Sequence, residues 1–443
     1  MKPTLESALE FIKHHPKLVI AEDYEILCQK TETHSCYFKN GEAIEESQDS
    51  RWWIQMRILH RKRLGSTSTI FCNEQSLNSM VDKAFELADN TTVDPWFRFP
   101  LWKATPLERT AIKDSSSVDP ALKEGFFETL FPQLALPPIG LEERYFRQQE
   151  HRTILRKTEK RVLSDESEIQ QFQFTLVNQG AGGEFYRLED IRGGIAPFLA
   201  KEAVLDALLR KSTRLNRLQV ATKVIPGSYL LAGIVVASLL KSIEFYFGGP
   251  LAGLGKTPLA NLLGKPVFSD AVSLTDDGLY LGGEGTRPFD CEGATSQQTK
   301  VVESGILKTF LHDANSAAKY NRTSTGNLIR AANNTSRVGA TNFYLNPSTT
   351  RLSELFSEMK EGVYIESVDR FHRELTRSGK LEILGQGWMV KNGEPIGPPQ
   401  QFLLAVDPLE ILKEITVVAS DLSFWGRYGA PSVFLKKMPL GEV

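Results

Sequence analysis

The stretch Phe289–Asn327, FDCEGATSQQTKVVESGILKTFLHDANSAAKYNRTSTGN, sets short apolar runs between glycine-bearing turns. Asp and Glu beside glycine suit turns, because their side-chain oxygens accept hydrogen bonds from nearby backbone N–H groups. The same texture continues from Pro226 to the C-terminus, where TDDG, LGGEG, ESG and KNGE recur. It predicts a C-terminal domain over 223–443 that is rich in antiparallel strands, with a few helices.

Seven chemically capable side chains crowd this region: Asp276, Asp277, Glu284, Asp290, Glu292, His312 and Asp313. Paired carboxyls do acid–base work when one of them is desolvated. Turn and strand-end roles are the stronger reading of the same residues. Cys291 sits between two acids and lacks the electropositive surroundings of a nucleophilic thiolate.

Upstream, residues 1–100 predict a compact α+β unit. YEILCQKTETHSCYFKNGEAIEES reads as two extended runs about an Asn-Gly turn. WWIQMRILHRKRLGSTSTIF reads as a hairpin turning at Gly65, and NEQSLNSMVDKAFELADN as an amphipathic helix. In that helix Leu77, Met80, Val81, Ala84, Leu87 and Ala88 form one apolar stripe. A further helix at the N-terminus has Leu5, Leu9, Phe11 and Ile12 available to one face. Residues 101–222 form a central region, entered through a connector rich in Pro, Trp and Ser that begins near residue 91. A helix is expected near 121–131, strands over 142–190, and a second helix in IAPFLAKEAVLDALLRKSTRLNR. The fold class is therefore α+β: N-terminal α/β units followed by the strand-rich C-terminal domain.

Composition narrows the function classes. The chain has 443 residues, 41% hydrophobic and 24% charged, enough for more than one core. A formal net charge of -2 gives no overall attraction to nucleic acid, and no direct nucleic-acid partner is expected. Its four cysteines, Cys28, Cys36, Cys72 and Cys291, match neither a zinc module nor a disulfide framework, which suits a reducing cytoplasm. The first twenty residues lack the apolar core of a signal peptide. The uncharged run Tyr229–Leu240 is about a dozen residues where a bilayer needs about 20, so a buried core helix is expected and no membrane partner.

Common catalytic motifs are missing. None of the seven histidines forms an HExxH-type pair, and neither GxSxG nor GxxxxGK[ST] occurs. GGPLAGLGK and LGGEG have the wrong spacing for phosphate or dinucleotide binding and read as loops.

Asp290, Glu292, Gly293, Thr299, Gly305, Ile306, Leu307, Thr325, Gly326 and Asn327 together resemble the motif order of the TldD/PmbA family. IQMRILHRKRLGSTST near the N-terminus and GQGWMVKNGEPI near the C-terminus are similar to further segments of that family. The family is described as metallopeptidases and also as modulators of DNA gyrase. Its catalytic branch holds a metal with HExxxH and a cysteine near the C-terminus. Alignment through Gly248-Gly249 and Leu263–Lys265 lays HExxxH on Leu239–Glu244 without a gap. Leu239 then replaces the first histidine, Leu240 the glutamate and Glu244 the second histidine, and GRYGAPSVFLKKM carries no cysteine.

The resemblance thus implies the branch without the metal motif, the PmbA (TldE) type. It implies no catalytic residue, no metal and no cofactor in this chain, and a cytoplasmic location. The implied partner is a TldD-type metal-bearing subunit or a second copy in a dimer, with a peptide as substrate. Two alternatives stand beside it: a stand-alone peptidase rebuilt around Glu244 with Asp290, Glu292 or His312, and a non-proteolytic adaptor or regulator. RELTRSGKLEIL departs from the family's usual Gly-Asp-aromatic-Ser pattern, which points to a divergent paralogue.

Overall fold

The computed structural model describes residues 5–40, 42–100, 102, 139–159, 162–179, 185–193, 206, 209, 219–220, 227–373 and 381–439. Asn40 takes φ 55°, and across it Lys39 of β1 (Asp23–Lys39) pairs with Glu42 of β2 (Glu42–His60). The next turn lies at Arg61 and Lys62, with φ 53° and 57°, before β3 (Arg63–Thr69). The expectation of a turn at Gly65 is corrected accordingly. Gly65 is inside β3, where a Cβ would fall 1.9 Å from the Ala84 carbonyl oxygen. Its missing side chain lets a helix approach the sheet.

That helix is α2 (Glu74–Asn90), started by Asn73, whose Oδ1 accepts the Ser76 amide at 2.9 Å. Leu77, Met80, Val81, Ala84 and Ala88 are buried as the stripe predicts, and Leu87 is half-buried. They share a core with Ala8 and Ile12 of α1 (Leu5–Lys13) and with Ile26, Ile54, Met56 and Ile58 of the sheet.

Beyond the connector come β4 (Ile139–Arg156), β5 (Leu163–Gln179) and β6 (Phe185–Gly193). The sheet order is β3-β2-β1-β4-β5-β6, antiparallel throughout. Strands from 1–100 and from 101–222 therefore build one layer. The expected helix near 121–131 and nearly all of Ile195–Arg217 lie outside the described residues.

The C-terminal half holds a seven-stranded and a six-stranded sheet, mostly antiparallel. Parallel pairs join Ser228–Leu231 to Glu361–Arg373 and Phe343–Leu345 to Tyr428–Ala430. Between Ser228–Leu231 and the following glycines runs α3 (Gly233–Ile243), which packs on strands of both sheets. GGPLAGLGK is not loop throughout: Gly249–Gly253 forms a short helix, α4, with Pro250 in its first turn, where a fixed φ and a missing N–H cost nothing. Among the described residues, no helix is long and apolar enough to cross a membrane.

Candidate functional site

α3 forms because a mostly apolar run can bury most of its surface between two sheets. Gly233 starts it against a neighbouring strand, where a Cβ would lie 2.3 Å from the Ala430 carbonyl oxygen. The Ser238 and Ser242 hydroxyls donate to the Ile234 and Leu239 carbonyls at 2.8 and 2.6 Å, so the helix brings no unsatisfied hydroxyl into the core. Leu239 and Leu240 are 1% and 0% exposed among Val235, Val236, Ile243 and Phe247. Each such leucine contributes about 1.5–3 kcal/mol through burial.

Glu244 begins the 3-10 turn that ends α3. Its Oε1 accepts from Arg337 Nη1 at 3.0 Å and its Oε2 from the Ala340 amide at 3.0 Å. The Tyr428 phenol also hydrogen-bonds Glu244; burial and that carboxylate push its pKa above the usual tyrosine range. Glu244 thus clamps the helix end to two other segments. Among the described residues, no group of three His, Cys, Asp or Glu ligand atoms converges around it. A cavity of about 330 Å³ beside Tyr246, Leu259, Phe268, Asp407 and Lys413 contains none of the motif residues.

The motif residues do come together, some distance along the chain from Glu244. Asp290 Oδ1 accepts the Glu292 and Ala294 amides at 2.9 and 3.0 Å, and its Oδ2 accepts the Leu328 amide at 2.9 Å. Glu292 Oε1 accepts the Ala314 amide at 2.7 Å, at the start of α5 (Ala314–Lys319), while Asp313 caps the same helix through the Ser316 amide. Thr325 Oγ1 accepts the His312 amide at 2.7 Å, and His312 Nδ1 lies 3.0 Å from Ser316 Oγ. Asp276 takes the Thr341 amide at 2.6 Å and Asn327 Nδ2 at 2.7 Å. Asp277 caps a turn through the Leu279 amide, and Glu284 accepts from Gln171 Nε2 of β5. Most of these bonds close loops by satisfying backbone N–H groups, as the turn reading expects.

The same turn meets the N-terminal layer through a buried charge cluster. Glu25 of β1, fully buried, accepts from Arg57 Nη2 at 2.9 Å, from Arg156 Nη2 at 3.1 Å and from Arg330 Nη2. Burial alone would raise its pKa, but Arg330, Arg57 and Arg156 outweigh it and hold the carboxyl at about 2. Arg156 also donates to the Glu292 carbonyl at 2.9 Å, and Arg57 lies 3.6 Å from Glu292 Oε2. Phe97, Phe99 and Trp102 lay their rings over Arg57 and Arg156, with centroids 4.8–5.6 Å from the guanidinium carbons. Burial, then the Asp290 carboxylate, push Glu292 up to about 8, and burial pushes Asp276 up to about 6. Perturbed carboxyls attract attention as functional groups. Here Glu292 and Asp276 each already accept a backbone amide, and Glu25 is held by three arginines.

Residues 228–442 match the PmbA/TldA metallopeptidase C-terminal domain. The C-terminal half of the chain belongs to the PmbA/TldD family. The chain is 27% identical over 224 residues to a metalloprotease TldD homolog of Buchnera aphidicola, covering 50% of this chain and 45% of that one. It is 26% identical over 229 residues to a metalloprotease PmbA homolog of Haemophilus influenzae, covering 52% and 48%. The matched region thus spans about half the length of these relatives. TldE from Thermococcus kodakarensis shares the fold, with a TM-score of 0.82 at 17% identity over 97% of this chain and 99% of that one.

Family and α+β fold agree with the reading of Phe289–Asn327. The Glu25 cluster was not anticipated. Its only sequence signal is a charged residue inside the apolar run Tyr24–Cys28, whose partners lie 32, 131 and 305 positions away. Cys291, read by its two acidic neighbours in the chain, has Arg152 Nη1 4.0 Å from its sulfur.

Proposed function

We propose that the chain is a PmbA/TldE-like, non-catalytic subunit of a TldD/PmbA-type peptidase complex that processes or degrades peptides in the cytoplasm. The burial of Leu239 and Leu240 carries this reading. At those positions the family resemblance places a metal ligand and the glutamate that moves protons, and leucine does neither. Glu244 keeps an oxygen donor, but Arg337 and the Ala340 amide already occupy it. A TldD-type subunit would bring the metal. This chain would bring the surface that holds an extended peptide, in the manner of an added strand.

The experiment compares peptide cleavage by this chain alone, by a TldD-type partner alone and by the two together. Cleavage that needs the partner, stops with chelator and survives Glu244→Gln in this chain supports the proposal. Cleavage by this chain alone that Glu244→Gln abolishes would favour a peptidase with a rebuilt site. No binding to the partner, and no effect on its activity, would favour the adaptor reading.

A further inference from the structure

The outer half of the first hairpin brings three different metal-binding side chains to one point. Alternation along β1 puts His34 and Cys36 on the same face of the sheet. The pairing register places Glu46 of β2 directly opposite Cys36, because a bulge between Tyr37 and Phe38 shifts the strands by one residue. His34 Nε2 lies 2.6 Å from Glu46 Oε1 and 3.5 Å from Cys36 Sγ. The three ligand atoms all fall within 4.8 Å of one another, the one such His/Cys/Asp/Glu group among the described residues.

We propose that His34, Cys36 and Glu46 bind a zinc-class divalent cation, on β1 and β2 and not on the helix to which the family resemblance assigns a metal. Tetrahedral zinc with its usual bond lengths separates a sulfur and a nitrogen ligand by about 3.6 Å, and a nitrogen and an oxygen ligand by about 3.4 Å. The sulfur–nitrogen spacing is therefore already that of a bound site. The Glu46 oxygen sits closer, as a hydrogen-bonded carboxylate does, and its exposed side chain is free to swing out by the small remainder.

One nitrogen, one sulfur and one oxygen suit zinc and its neighbours; calcium and magnesium demand six or more oxygens. Three protein ligands leave a fourth position for water. Binding takes neutral imidazole and thiolate, so the Cys36 thiol gives up one proton to solvent as the metal enters. The buried Tyr145 ring stands edge-on to His34, with ring centroids 6.0 Å apart. Such a clip would join β1 to the part of β2 from Glu42 to Arg51 that is otherwise exposed along its whole length. A His–Glu hydrogen bond alone needs no sulfur at the same nitrogen.

The test titrates the metal-stripped, reduced full-length chain with Co²⁺ and then displaces it with Zn²⁺. The expected result is one equivalent of cobalt, with a thiolate-to-cobalt charge-transfer band and the strong visible bands of four-coordinate geometry. Cys36→Ser should lose the charge-transfer band, while Glu244→Gln keeps it. Cys28, Cys72 and Cys291 are buried, which leaves Cys36 to supply the sulfur signal. Glu46→Gln changes an exposed side chain and leaves the strand intact. It should weaken zinc binding by more than about tenfold, a scale that even indirect partners of a ligand command. Zinc should also slow amide exchange in β1 and β2 of the wild type and not of Cys36→Ser. Absence of the band in the wild type, or an unchanged band in Cys36→Ser, overturns the proposal.

Discussion

Replacing Glu25 by glutamine keeps the shape of the side chain and removes the charge that Arg57, Arg156 and Arg330 share. The cost can be worked in two ways. Holding a carboxyl at about 2 against an ordinary 4.5 corresponds to roughly 3 kcal/mol in favour of the folded state. Removing one partner from a buried ion pair costs about 3–5 kcal/mol, because the remaining charges stay buried without compensation. The two routes agree on a loss of about 3–5 kcal/mol at pH 7. The sign with pH follows from the depressed value. The contribution is complete above the unfolded carboxyl's pKa and is lost as pH falls through the folded one. At pH 3 the gap between wild type and Glu25→Gln should therefore narrow by about 2 kcal/mol, to about 1–3 kcal/mol. Urea unfolding followed by tryptophan emission reads it, since Trp102 covers Arg156 and donates to the Glu292 carbonyl at 3.3 Å. A gap below about 1 kcal/mol at pH 7, or one that does not narrow toward pH 3, would refute the view that this carboxylate holds the two layers together.

Glu292 should act in the opposite sense. With its folded pKa pushed up to about 8, the protonated carboxyl is favoured in the native state, so stability should fall as pH rises from about 5 to 8. Thermal unfolding of Glu292→Gln across that range should show a flatter profile than wild type; identical slopes would count against the buried neutral acid. Leu240→Ala should cost about 2–5 kcal/mol in denaturant unfolding, since it opens a cavity in a fully buried position. Gly65→Ala should cost about 1–3 kcal/mol by forcing α2 away from β3, seen as a lowered melting temperature with unchanged far-ultraviolet dichroism.

How much of this was legible depended on how local the cause was. The α2 stripe, the turn at Asn40 and the loops around Asp290 all follow from contacts within a few residues, and sequence spacing reports such contacts well. Gly65 was misplaced because a glycine serves a turn and a close helix approach equally well, and only the position of Ala84 distinguishes them. An acid–base reading stays open in the sequence beside the favoured turn reading, because composition does not show that Asp290 spends both oxygens on amides, one of them at Leu328. The His34–Cys36–Glu46 group escaped notice for a similar reason. Cysteine and histidine spacing along the chain report ligands on one segment, whereas the third ligand here is set by a cross-strand register that a bulge shifts.

The proposed reading of α3 as a helix without metal ligands also predicts how the chain would respond to placing them there. In the arrangement that the family resemblance implies, histidine and glutamate inside this helix would be offset by the metal itself, whose binding is worth about 10–16 kcal/mol in small structural zinc sites. Without the metal, each polar group in the core costs about 1–3 kcal/mol or more. A single substitution such as Leu239→His should therefore only destabilise this chain, since one imidazole and the occupied Glu244 make too few ligands to hold zinc. Leu240→Glu would add a carboxyl that has neither metal nor partner. Several substitutions would have to arrive together, along with release of Glu244 from Arg337, before the metal could repay any of them. The buried apolar helix is thus a local optimum with a barrier around it.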